Sequence, residues 1–219
     1  MKHKLGTTTL CICVVLMVIC GSIALPIYFR PFYYWQIDAL GIPAATGFDK
    51  PTLVAAYDEV LDYLTLPGHP FGTGAFPHSE SGAAHFADCK VLFDLNASAL
   101  AVAMVGIVLL LWLKRRGHFQ LYRRRGVHPA VWCGGGILTA FAVVGGLAAL
   151  NFKAAFKVFH GILFPGKDNW LFDYRTDPII KALPETYFMN CGLLILFSVL
   201  SLSVLLIAYG LWRSKKKTA

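Results

Sequence analysis

Four long apolar runs divide this chain: Thr8 to Phe29, Leu95 to Leu113, Val131 to Leu150 and Met189 to Trp212. A helix needs about 20 largely apolar residues to cross the hydrocarbon of a bilayer, and each run supplies them. Polar positions inside are few: only Asn96 and Ser98 in the second, and only Thr139 in the third. No stretch between them is long and apolar enough for a fifth span. The pattern predicts an all-α membrane protein with four transmembrane helices. It reads as one membrane domain over 1–219, with spans at about 8–29, 95–113, 131–150 and 189–212. Two more polar segments, 30–94 and 151–188, and a basic loop, 114–126, join them.

The polar segments carry helix signals of their own. Asp49-Lys50-Pro51 reads as a helix start, with Asp49 as N-cap and Pro51 in the first turn. Leu53, Tyr57, Val60, Leu61 and Leu64 then recur at helical spacing, and Pro67-Gly68 ends the run. Gly72, Gly74, Pro77 and Gly82 mark a looser stretch. A helical turn begins near Ala83 and continues into the second span. The third span is expected to run on through NFKAAFKVFHGILF, residues 151–164, until Pro165-Gly166. Asp177-Pro178 reads as the cap of a short helix that enters the fourth span.

Composition agrees with a membrane protein. The chain is 57% hydrophobic with a mean hydropathy of +0.59, whereas an ordinary soluble domain is roughly half apolar. Charge then predicts orientation, because cytoplasmic flanks are rich in Lys and Arg. Lys2 and Lys4 precede the first span. Lys114, Arg115, Arg116, Arg123, Arg124 and Arg125 follow the second, and Arg213, Lys215, Lys216 and Lys217 follow the fourth. All 12 Asp and Glu lie in the other two segments. Both termini are therefore expected inside, and 30–94 and 151–188 outside as a cap of short helices and loops over the bundle mouth. The net charge of +8 reflects topology and contact with anionic lipid; nothing suggests nucleic acid. Lys2, Lys4 and the small-x-small Ser22-Ile23-Ala24 resemble a signal peptide, but cleavage would leave three helices, so a retained span is expected. Five of the six cysteines lie in spans as small apolar fillers. Cys89 alone is in a polar segment, and no disulfide framework is expected.

Seven histidines are the candidate chemistry. His3, His118 and His128 lie with the basic flanks and read as solvated or headgroup-facing, and His69 and His78 read as surface residues. His85 and His160 each sit on a helix that meets the bilayer at its outer face. An imidazole held there and pointed into a bundle is a functional candidate, and it titrates near neutral pH. Each is followed by an aspartate, Asp88 for the first and Asp168 or Asp173 for the second, that could orient the ring. Glu80 could serve His85 too. For Ser79 a capping role comes first and a substrate contact second. Either histidine alone could instead snorkel to headgroups, but two in the same setting favour chemistry. With Asp and Glu they could also hold zinc, yet HExxH, CxxC and close His pairs are absent, and no GxSxG marks a serine hydrolase. Aromatic residues exceed what an interfacial belt requires. Tyr28, Phe86, Trp170 and Phe172 are expected to line an apolar, lipid-accessible pocket.

Two blocks resemble a known family. FPHSESGAAHFADCKVLFD, residues 76–94, and FHGILFPGKDNWLFDYRTDPIIKALPETYF, residues 159–188, pair SExGxxHFxDxK with FHxxxFxxxxxWxFDxxxDPII and LPExxF. With four spans and a long first outer segment, this resembles the lipoprotein intramolecular transacylases of bacterial cell membranes. The one departure is Cys89, where the family pattern has valine. The resemblance implies an enzyme that moves the sn-2 acyl chain of a diacylglyceryl-cysteine to its α-amino group, giving a lyso-form lipoprotein. It implies diacylated lipoproteins and membrane lipids as partners, no metal or other cofactor, and His85 and His160 as the catalytic pair. His85 as base and His160 as acid or oxyanion donor is the first assignment, and the reverse is the second. The alternatives are a non-enzymatic sensor or assembly factor and a metal-dependent membrane hydrolase.

Overall fold

The structure, a computed structural model, describes residues 1–216; Lys217, counted above with the inner basic flank, lies outside them. The described residues form ten helices: α1 (Lys2–Tyr28), α2 (Pro31–Tyr34), α3 (Gln36–Ala39), α4 (Ile42–Thr46), α5 (Lys50–Thr65), α6 (Glu80–Arg115), α7 (Pro129–Leu150), α8 (Phe152–Leu163), α9 (Ile179–Ala182) and α10 (Glu185–Lys215). Helices α1, α6, α7 and α10 are long and apolar enough to cross a membrane. The protein is an all-α membrane protein with four transmembrane helices. Its chain divides into two compact units.

The first unit comprises Met1–Ala24, Asn96–Ala149 and the chain from Leu194 onward. Its centre is Val18, Ile137 and Val199, with Val15, Phe141, Ile195 and Leu206 packed around them. Without water, every polar group needs an internal partner. Ser22 and Ser203 accordingly donate to the carbonyls of Val18 and Val199 one turn back, and the Asn96 amide donates to Cys20 O at 3.2 Å. Helices α7 and α10 approach backbone to backbone. A Cβ on Gly134 would stand 2.7 Å from Ser203 O, so only glycine fits there. Val102, Val105, Val108 and Leu205 are over 60% exposed, which suits hydrocarbon and not water. The basic loop is tied to helix ends: Tyr122 N donates to Thr7 Oγ1 and Gln120 N to His3 Nδ1. His128, expected to be solvated, is buried instead. Its Nδ1 accepts Ala130 N at 3.2 Å, capping α7, and its ring meets Tyr209 edge-on.

The second unit comprises Leu25–Leu95 and Leu150–Leu193. The Asp49 cap forms as its local sequence requires, accepting Thr52 N at 3.0 Å. Leu53, Tyr57, Val60, Leu61 and Leu64 bury one face of α5 against Tyr33, Ile37, Ile42 and Ile179. Buried hydroxyls find partners across long sequence distances: Tyr33 donates to Ala182 O, and Tyr57 and Tyr187 bond to each other at 2.9 Å. Arg30 bridges Asp58 and Asp62, and Tyr34 donates to Asp58.

Two local expectations fail here for physical reasons. The third span does not continue through residue 151. Asn151 is extended, at φ −158° and ψ 90°, and its side chain accepts Ala154 N to start α8 afresh. Asp177 does not cap α9, which has no side-chain cap, because its carboxylate is taken up by Ser79. The exposed side of α8 carries Lys153, Lys157, Val158, Phe159 and Ile162, while Phe152, Phe156, His160 and Phe164 recur every fourth residue toward the interior.

Candidate active site

The site begins at the start of α6. Ser79 N donates to Asp177 Oδ1 at 2.8 Å and Ser79 Oγ to Asp177 Oδ2 at 2.7 Å, while Gly82 N donates to Ser79 Oγ. Ser79 is thus the helix cap, fastened to a carboxylate 98 residues away. Burial works against the charge on Asp177, but the bonds from Ser79 and Thr176 outweigh it and leave the carboxyl below its ordinary range. Gly82 makes room: a Cβ there would stand 2.1 Å from Asp177 Oδ1. Glu80, at the first helical position, is exposed, where its charge suits the positive end of the helix dipole.

One and a half turns later, ten residues ahead of the apolar run at Leu95, α6 presents His85, which is buried. Helix α8 presents His160, also buried. The two ring centroids are 6.0 Å apart with planes 33° off parallel. Phe164 and Phe172 meet His85 edge-on at 4.9 and 5.4 Å. His160 lies between Phe156, at 4.2 Å, and Trp170, which stacks on it at 4.6 Å. Of the predicted lining residues, Phe86, Trp170 and Phe172 are therefore at the histidine pair, and Phe86 packs on Phe172 at 5.7 Å. Tyr28 is the exposed last residue of α1, with no ring contact to either histidine.

The nitrogens are differentiated. His160 Nδ1 is 2.8 Å from Phe156 O. A carbonyl only accepts, so Nδ1 carries the proton and Nε2 is left with its lone pair. His85 Nε2 is 3.4 Å from Cys89 Sγ, one turn along the helix, and His85 Nδ1 is buried without a partner. Burial lowers the basicity of both rings. For His85 burial, followed by the charge of His160, takes the value down to about 4. For His160 burial acts first, partly offset by the Phe156 carbonyl. Both imidazoles are neutral at pH 7.

The carboxylates that were expected to orient these rings are placed otherwise. Asp88 accepts Lys167 Nζ at 2.5 Å and Asn169 Nδ2 at 3.0 Å; Lys167 first, then Asn169, hold it below the usual carboxylate range. It reaches His85 through space and through Asn169, not by a bond of its own. Asp168 and Asp173 are exposed. Asp173 folds back on its own loop, accepting Arg175 N, and the backbone carbonyl of Phe156 takes the place either was expected to fill at His160. Asn169 and Lys167 carry no periodic or motif signal in the sequence that would have singled them out for this site, and Asp177, though part of the DPII motif, reads there only as a helix cap. Among the described residues no three His, Cys, Asp or Glu side chains gather as a metal site would require.

Comparison with known proteins gives the same outline. In meso structures of the membrane integral lipoprotein intramolecular transacylase Lit from Bacillus cereus share this fold. One, 24% identical, aligns over 99% of this chain and 98% of its own at a TM-score of 0.85. Two more, described as carrying an H85R and an H85A mutation in that protein's own numbering, are each 25% identical at a TM-score of 0.77 and align over 99% of this chain and 93% and 95% of theirs. No curated protein matches. The family profile for the lipoprotein intramolecular transacylase Lit matches residues 8–188, both histidine blocks included, and the chain belongs to that family of membrane acyltransferases.

Proposed function

We propose that this chain moves the sn-2 acyl group of a diacylglyceryl-cysteine lipoprotein onto the α-amino group of the same cysteine, with His85 and His160 as the catalytic pair. The observation that carries this reading is the pair of buried imidazoles 6.0 Å apart, with His160 Nδ1 engaged by Phe156 O. The substrate amine arrives as an ammonium. His160 Nε2 takes its first proton and becomes an imidazolium, fixed by Phe156 O. The freed amine attacks the ester carbonyl carbon, and the new C–N bond places negative charge on the carbonyl oxygen beside that imidazolium. His85 Nε2 removes the second proton from the attacking nitrogen. Collapse breaks the bond to the sn-2 oxygen, and His160 returns its proton to the departing alkoxide. The products are an amide, a free sn-2 hydroxyl and one proton released through His85, whose low basicity suits a group that must let go quickly. Both ends of the reaction lie on one molecule, so positioning can contribute about 7–11 kcal/mol.

The charge distribution supports a site at the outer face of a bacterial cell membrane, with both termini cytoplasmic and access from the outer leaflet between aromatic side chains. Phe86, Trp170 and Phe172 are suited to contact the acyl chain, while Ser79 holds the helix start. The test is mass spectrometry of one abundant lipoprotein from cells with and without the chain. The expected result is an acyl group shifted from glycerol to nitrogen only with the chain present. His85→Ala and His160→Ala should each slow formation of the lyso-form by about 10²–10⁴-fold, and full activity in either removes that residue from the reaction.

A further inference from the structure

We propose that Asn169 is a positioning residue for His85, its side-chain carbonyl holding the imidazole in the Nδ1–H form so that Nε2 faces the substrate. This rests on the reading of His85 as a base. Two buried polar atoms among the described residues lack a hydrogen-bond partner: His85 Nδ1 and Asn169 Oδ1. A buried donor or acceptor without a partner is costly, and Asn169 is bonded to Asp88, three residues from His85 on α6, where its amide acts on the imidazole. They are a matched pair, one able to donate and the other only to accept.

Chemistry fixes which way the amide points. Asp88 is ionised and can only accept, so the Asn169 atom 3.0 Å from Asp88 Oδ2 must be the NH₂ group. The carbonyl oxygen is then the amide atom left to accept from His85. Lys167 holds the other Asp88 oxygen, so the amide has a charged anchor behind it. Trp170 follows Asn169 directly and stacks on His160. One short loop therefore sets both rings.

On the other side of His85, the Cys89 thiol reaches Nε2 at 3.4 Å. With Nδ1 protonated, Nε2 accepts the weak S–H donor. An incoming ammonium or amine is a stronger donor and displaces it, and the ring turns no further than Asn169 allows. The carboxylate expected to orient His85 thus acts at one remove, through a neutral amide. A neutral partner fixes the tautomer while strengthening the imidazole as a base less than the nearby Asp88 charge does, and so suits a group that takes one proton and releases it.

The experiment uses the full-length protein in phospholipid nanodiscs with a synthetic diacylglyceryl-cysteine lipopeptide. Asn169→Ala is expected to lower kcat about tenfold with KM nearly unchanged. Asn169→Asp places a carboxylate on Nδ1 and is expected to move the acidic limb of the kcat profile to higher pH, which a packing role alone would not do. An unaltered pH profile in Asn169→Asp, or parental kcat in Asn169→Ala, overturns the proposal. Failure of the parent protein to convert the lipopeptide counts against the assigned reaction, and a second arm keeps the two failures apart. Ring ¹⁵N NMR of His85 is expected to show Nδ1 protonated and Nε2 bare in the parent, and a tautomer mixture in Asn169→Ala. A parent His85 with Nε2–H, or a spectrum unaffected by Asn169→Ala, overturns the positioning role whatever the activity.

Discussion

His85 and His160 differ in what holds them, and the difference should show in stability as well as rate. Both have folded values below the ordinary imidazole value of about 6.5, His85 at about 4. A histidine buried neutral binds its proton more readily when the chain is unfolded. Its contribution is complete above about pH 6.5 and is lost progressively as pH falls toward the folded value. The melting temperature should therefore drop between pH 7 and pH 5, and His85→Gln should show a shallower drop over the same interval. Equal slopes in parent and variant would mean that His85 takes up its proton over the same pH range in the folded and the unfolded chain. Asp88 and Asp177, both depressed, lose their contribution only nearer their own acidic range, so the window from 7 to 5 isolates the imidazoles.

At the scale of elements, the junction of α6 with the loop at Asp177 governs where His85 can sit. Gly82→Ala forces a methyl group into the Asp177 carboxylate. Ser79 must then give up a bond or α6 must shift. Overpacking of this kind costs about 1–3 kcal/mol, and the variant should lose thermal stability and activity together. Ala83→Gly, one residue on and free of that contact, provides the control for helix propensity. This junction also shows what could be read from sequence. The Asp49 cap was legible because Asp49, Pro51 and Thr52 settle it within four residues. Asp177 offered the same local signal beside Pro178, yet its partner is Ser79, nearly a hundred residues earlier, and no local pattern carries that. The break at Asn151 was hidden for a related reason. Apolar spacing runs through LAALNFKAAF without interruption, and only the side chain of Asn151 folding onto Ala154 N ends one helix and starts the next. Asn169 had neither period nor motif of its own; its place became visible only through the two unpartnered atoms. The histidine pair was legible because each member lies in a block of distinctive residues, whereas the contacts of Asp168 and Asp173 depended on loop paths that spacing does not specify.

At the scale of the whole molecule, charge asymmetry is the main determinant of topology. Single cysteines placed at Lys2, Arg124 and Lys216 in a cysteine-free background should resist a membrane-impermeant maleimide in intact cells, and single cysteines at Glu80 and Lys167 should react. The opposite pattern would reverse the orientation and place the histidines on the cytoplasmic side. The background is attainable, because all six native thiols are free of disulfides, and Cys89→Val returns that position to the residue of the family pattern.

The origin of the two imidazoles has a consequence for biosynthesis. His85 is translated before the basic loop and His160 after it, and the Asp177 that secures the first arrives later still. A ribosome that stalls in the loop leaves a product with one ring, an unsecured helix start and no counterpart. Premature stop codons anywhere before residue 177 should therefore yield inert polypeptides instead of graded partial enzymes.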